Sequence, residues 1–140
     1  GLGRQLTHQG GEPVSVEQAK RLLHIDHAAL DEEIPGVISA AREIVERRTG
    51  YALAEASYEW TPVGGRVDPL PIWPGLITSD AGVYPILFSA KPGPAPWALK
   101  LAIVMLVGDL LENPEGGGEK VLHQNPAFAK LVFPFTRVLP

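Results

Sequence analysis

The chain has 140 residues, a length that suits one domain with one modest hydrophobic core. Its 45% apolar and 20% charged residues match a folded globular chain and argue against a disordered one. A net charge of -4 gives no bulk attraction to nucleic acid, and the lack of cysteine excludes disulfides, thiolate catalysis and cysteine-ligated zinc.

A cysteine-free small domain points to a reducing cytoplasm, because secreted domains of this size often rely on disulfides. Residues 1–11 lack the apolar run of a signal peptide. The longest apolar run, residues 101–107, is far short of the roughly 20 residues that a bilayer requires. The expectation is a soluble protein with no membrane partner.

In chain order, the first predicted helix opens at Ser15. Its hydroxyl is a good N-cap, and Gln18 three residues later completes a capping box. Val16, Ala19, Leu22 and Leu23 share one face, and the helix is expected to fade near residues 25–27. The second helix carries the clearest periodicity. Ile34, Val37, Ile38, Ala41, Ile44 and Val45 form an apolar stripe, with Arg42, Glu43, Glu46 and Arg47 mostly on the other face. Asp31, Glu32 and Glu33 suit the positive end of its dipole. Pro35 fits only the opening turn, and Gly50 is the expected residue just past the end.

Residues 51–96 change character. They hold eight of the fourteen prolines, too many for a continuous helix or a central strand. They also hold all three tyrosines and two of the three tryptophans, which is too aromatic for a solvated linker. Short strands are predicted at 56–63, 76–78 and 83–89, with turns at Gly64-Gly65 and residues 79–82. The stretch reads as an extended arm or a β-hairpin.

The third helix is expected from Pro96 to Glu112. Its apolar residues point in almost every direction, so it should be the most buried element, packed on the stripe of the second helix. Asn113-Pro114 stops it, and the three glycines 116–118 read as a flexible link. Asn125-Pro126 then starts a short helix with Phe128, Leu131, Val132 and Phe133 on its apolar side. Pro134 ends that helix. Residues 135–140 form an apolar tail with Arg137 as its one charge.

The fold class expected from these elements is mainly α. It is a small helical bundle with a Pro-rich extended arm or β-hairpin inserted between the second and third helices.

Candidate chemistry is sparse. His24, Asp26 and His27 are the best metal-like cluster, but two imidazoles three apart need further ligands, and no H-E-x-x-H spacing is present. His8 and His123 have no identifiable nucleophile, and no serine stands in a G-x-S-x-G context. Residues 116–120 lack the spacing of a phosphate loop. Arg42, Arg47, Arg48 and Arg66 could line a basic face, but Glu43, Glu46 and Glu59 dilute it. No catalytic residue, metal site or cofactor is expected.

Four blocks carry a resemblance. They are residues 13–26 (PVSVEQAKRLLHID), residues 31–35 (DEEIP) with 38–46 (ISAAREIVE) closed by Thr49-Gly50, residues 102–113 (AIVMLVGDLLEN) and residues 131–138 (LVFPFTRV). In order and spacing the chain resembles the head–tail connector, or adaptor, family of tailed phages. The resemblance covers about two-thirds of the chain and treats residues 51–96 as a variable arm.

It implies a structural virion protein with no catalytic residues. Such a subunit would form a ring of about a dozen copies between the portal and the next tail or stopper protein. It would line a channel through which genome DNA passes without sequence-specific binding. The implied location is the head–tail interface of the virion, with the host cytoplasm during assembly.

On that reading, Phe128, Leu131, Phe133, Phe135, Arg137, Val138 and Leu139 are the residues expected to dock on the portal, with a tail folded back over the third helix as the alternative. Tyr58, Trp60 and Trp73 are expected to touch neighbouring subunits or the tail, with padding of a local core as the alternative. A different class of protein, a small helical module associated with nucleic acid, would require a basic recognition helix, and none is visible.

Overall fold

The computed structural model describes residues 4–8, 11–67 and 69–137. It has a helical majority joined to a four-stranded antiparallel sheet. The elements are β1 (Arg4–His8), α1 (Val16–Leu22), α2 (Ile34–Thr49), β2 (Ala56–Trp60), β3 (Gly75–Ile77), β4 (Ile86–Ala90), α3 (Trp97–Glu112), α4 (Glu119–Gln124) and α5 (Pro126–Val132).

The helices form where the sequence pattern places them. Ser15 Oγ accepts the Gln18 N–H at 3.0 Å and opens α1. That helix ends earlier than residues 25–27. His24 adopts a left-handed φ of 58°, and the Ile25 N–H reaches back to the Lys20 carbonyl at 2.8 Å, the wrap of a Schellman cap. Pro35 stands in the first turn of α2, and Gly50 closes the helix with φ 70°. At its start the acidic residues give no side-chain cap.

As expected, α3 is central. Leu99, Ala102, Ile103, Leu106 and Val107 are fully buried against Ile34, Ile38, Ala41 and Val45 of α2. Val14 and Ala19 close this core from the α1 side, and Val121, Phe128 and Val132 close it from α4 and α5.

Residues 51–96 do not form an extended arm. They fold into three of the four strands, in the order β1-β2-β4-β3. Tyr58 pairs with Phe88 and Trp60 with Ile86 on one face, where Ala52, Ala56, Leu70, Ile72 and Ala90 complete a second small core. The alternation of Ala56, Tyr58 and Trp60 inward with Ser57 and Glu59 outward explains why this stretch can fold despite its prolines. The prolines fall outside the strands. The fourth strand, β1, precedes the first helix and was not expected. It pairs antiparallel with β2, with a bulge between Gln5 and Thr7.

The glycine run is not a free link either. Pro114–Gly116 forms a single 3-10 turn, Gly117 and Gly118 take left-handed φ values of 61° and 85°, and α4 follows at once. Gly118 has no side chain to cap α4. Asp109 Oδ2 accepts the buried Val121 N–H at 3.1 Å instead, from the preceding helix. A Cβ at Gly118 would stand 3.0 Å from Leu106 Cδ2, so the backbone there presses on the core.

Candidate interaction surfaces

The segment expected to dock on the portal folds back on its own chain. Phe128 is fully buried in the helical core, and Leu131 packs half-buried against it. Phe128 is therefore a core residue: α5 packs on α3 and turns Phe128 and Val132 into the core. Phe135 meets Tyr51 edge-on, with ring centroids 5.8 Å apart. The Arg137 N–H donates to the Thr49 carbonyl at 2.8 Å, and Arg137 Nη1 donates to the Gly50 carbonyl at 3.0 Å.

The tail thus caps the carbonyl end of α2, where a cation is favoured by the helix dipole. Partial burial lowers the Arg137 pKa. Of the docking residues placed in the structure, only Phe133 presents a freely exposed ring, at 80%. Val138 and Leu139 lie outside the described residues.

Because Arg137 sits at a partly screened site, Arg137→Ala is expected to cost only about 0.5–1.5 kcal/mol. Urea melts check this. An unchanged midpoint would mean that the clamp on Gly50 does not hold in solution.

The arm aromatics divide. Tyr58 is buried and stacks on Phe88 at 5.1 Å, while Trp60 meets the same ring edge-on at 6.3 Å. Both pad the second core. Burial first, then nearby Glu46, pushes the Tyr58 hydroxyl up to about 12. Trp73 is different. Its backbone is pinned, since its N–H donates to the Gly50 carbonyl and its carbonyl accepts from Ala52, but its side chain is 53% exposed.

A polar cluster that the sequence did not reveal joins the two cores. Arg42 and Glu46 lie one and two turns after Ile38, on a flank of the apolar stripe of α2, and both are buried. Arg42 Nε donates to Glu12 Oε1 at 2.8 Å, Nη1 to Glu46 Oε1, and Nη2 to Ser39 Oγ at 3.2 Å. Glu46 Oε2 accepts the buried Leu53 N–H at 2.9 Å. Burial alone would lower the Arg42 guanidinium, but Glu46 and Glu12 hold it above its ordinary value. Burial raises the Glu46 carboxyl against the opposing pull of the Leu53 N–H and Arg42. The available signal was the i, i+4 spacing of Arg42 and Glu46.

The exposed apolar surface is unevenly placed. Ten large hydrophobic side chains are exposed among the described residues. Seven of them fall between Val63 and Leu87: Val63, Trp73, Leu76, Ile77, Val83, Tyr84 and Leu87. That stretch contains only three charged residues, Arg66, Asp68 and Asp80. Leu76 and Leu87 lie on the outer face of the sheet, and the Tyr84 hydroxyl rests 3.4 Å from the Gly65 carbonyl at one end of it.

Among the described residues, no group of three or more histidine, aspartate or glutamate side chains is arranged to hold a metal ion. His27 Nδ1 accepts the Ala29 N–H, and His24 serves the α1 cap through its backbone. A shallow depression of about 180 Å³ opens beside Asp109, Asn113, Glu115 and Glu119, but Asp109 is already engaged by Val121. No described helix is long and apolar enough to cross a membrane. No family model, curated protein or solved structure matches this chain.

Proposed function

We propose that this chain is a structural subunit of a tailed-phage head–tail connector: an adaptor that gathers as a ring of about a dozen copies between the portal and the next tail or stopper protein. The genome would pass through the ring without being read. The protein would belong to the head–tail interface of the virion and meet its partners in the host cytoplasm. The resemblance of the helical blocks supports this reading.

The structural observation that carries it is the charge-poor, apolar surface between Val63 and Leu87. Interface centres are depleted in charge and enriched in aromatic side chains, and exposed apolar side chains concentrated in one charge-poor stretch suit a partner contact. The titratable groups that are buried together, Arg42 and Glu46, tie segments of the chain to one another.

Within this reading, the portal contact falls to Phe133 and the residues beside it, because Phe128 is committed to the core and Phe135 and Arg137 to the α2 end. The test is to mix the purified protein with portal-bearing heads that lack their tails and to measure its mass on them. Gathering in a fixed copy number that permits tail joining is the expected result. A chain that stays monomeric beside such heads, or that instead shifts one duplex sequence at physiological salt, overturns the proposal.

A further inference from the structure

We infer that neighbouring copies of this chain join through their sheet edges, with β3 of one copy pairing antiparallel to β1 of the next. This rests on the ring reading and assigns its subunit contact.

The sheet order β1-β2-β4-β3 leaves β1 and β3 as its two edges, and every neighbouring pair is antiparallel. Four strands of alternating direction leave β3 running opposite to β1. A second copy in the same orientation therefore presents its β1 antiparallel to β3, and the alternation continues across the junction. Such a contact uses two different surfaces, and a rotation that closes it produces a ring.

The β3 edge is prepared for this pairing. The Thr78 N–H donates to Leu87 and the Pro74 carbonyl accepts from Lys91, so residues 74, 76 and 78 turn their backbone groups toward β4. By the alternation of an antiparallel ladder, Gly75 and Ile77 turn theirs toward the open side. Folded proteins usually protect such an edge with lysine, proline or a bulge; β1 has a bulge between Gln5 and Thr7, and β3 has none. The strand Gly75-Leu76-Ile77 contains no charge and no proline, and Leu76 is 61% exposed.

Register and charge favour β1 of a second copy as the occupant. Thr7 pairs with Ser57, Ser57 with Ser89, and Ser89 with Leu76, so these four residues form one row across the sheet. An unstaggered continuation sets Thr7 of the next copy directly opposite Leu76. Arg4, Glu59, Leu87 and Thr78 form a second row. That row brings the basic end of β1 beside the segment carrying the exposed Asp80. The sequence RQLTH contains no acid, and residues 75–82 contain no base.

The chain has no cysteine, so introduced thiols report the contact without background. The chain carrying both Thr7→Cys and Leu76→Cys, gathered on portal-bearing heads and oxidised, is expected to give a ladder of covalent multimers. Thr7→Cys and Leu76→Cys mixed as single variants should give dimers only. Dimers from Leu76→Cys alone would set β3 against β3 and overturn the inference, as would the absence of any cross-link in a gathered ring.

Ile77→Pro supplies the second measurement. It removes an outward N–H that the monomer does not use, so the fold should survive by circular dichroism while gathering falls to background. If the Ile77→Pro chain still gathers in normal copy number, the edge assignment fails and the ring stands. If the unaltered chain never gathers, both fail.

Discussion

Replacing Arg42 with methionine is expected to destabilise the fold by about 3–5 kcal/mol, the loss typical of breaking a buried ion pair from one side. The guanidinium is fully buried and serves Glu12, Glu46 and Ser39 at once. Without it, the carboxylate of Glu46 remains in the interior with only the backbone N–H groups of Leu53 and Ala54 to hold it. Pairing Arg42→Met with Glu46→Leu should recover part of the loss, because two apolar groups can replace an ion pair at little cost. Recovery stays incomplete by about 1–3 kcal/mol, since the Leu53 N–H is then buried without an acceptor.

The pH dependence of the single variant has a definite sign. Burial raises the folded-state pKa of Glu46 above its ordinary value of 4.5. A group raised in this way contributes stability that is complete below the unfolded value and is lost as pH rises through the folded value. Removing Arg42 raises Glu46 further. The deficit of Arg42→Met against the parent should therefore shrink on acidification and widen toward neutral pH. Denaturant melts across that range check it, and a deficit independent of pH would show that Glu46 is not the group left stranded.

The second large effect is expected at Phe128. Its ring is fully enclosed by the helical core, so Phe128→Ala should cost about 3–5 kcal/mol through lost burial and the cavity left behind. At temperatures where the variant remains folded, its attachment to portal-bearing heads should be unimpaired. A loss below about half a kcal/mol with attachment abolished would return Phe128 to the surface role that the sequence suggested.

The helical blocks were legible because their signals are local. Ser15 with Gln18, the 34–45 stripe, and Asn125-Pro126 each carry their instruction within a few residues. The strands after residue 51 were placed within a few positions, but their joint product was not. Whether alternating residues make a hairpin arm or one sheet with its own core depends on Leu70 and Ile72, which join that core from outside the strands, while the added strand β1, RQLTH, shows no alternation of its own. The α4 helix was hidden behind three glycines because its cap, Asp109, lies on another helix. Arg42 and Glu46 read as a solvated face because periodicity marks only the first buried face of a helix. The second is created by segments that the helix itself does not encode, the 51–54 stretch and Glu12.

The end of α2 gathers contributions made at very different times. The carbonyl of Gly50 receives the Trp73 N–H and then the Arg137 guanidinium, which stands 87 positions further along the chain. On a ribosome, synthesis runs in one direction and early segments fold first. Until the tail arrives, the Gly50 carbonyl holds only the Trp73 N–H and the Tyr51 ring lacks the edge of Phe135. Closure of a long loop costs little more than closure of a short one, so the late arrival is tolerated thermodynamically. The nascent chain nonetheless passes through a stage in which the seam between its two cores is open on one side.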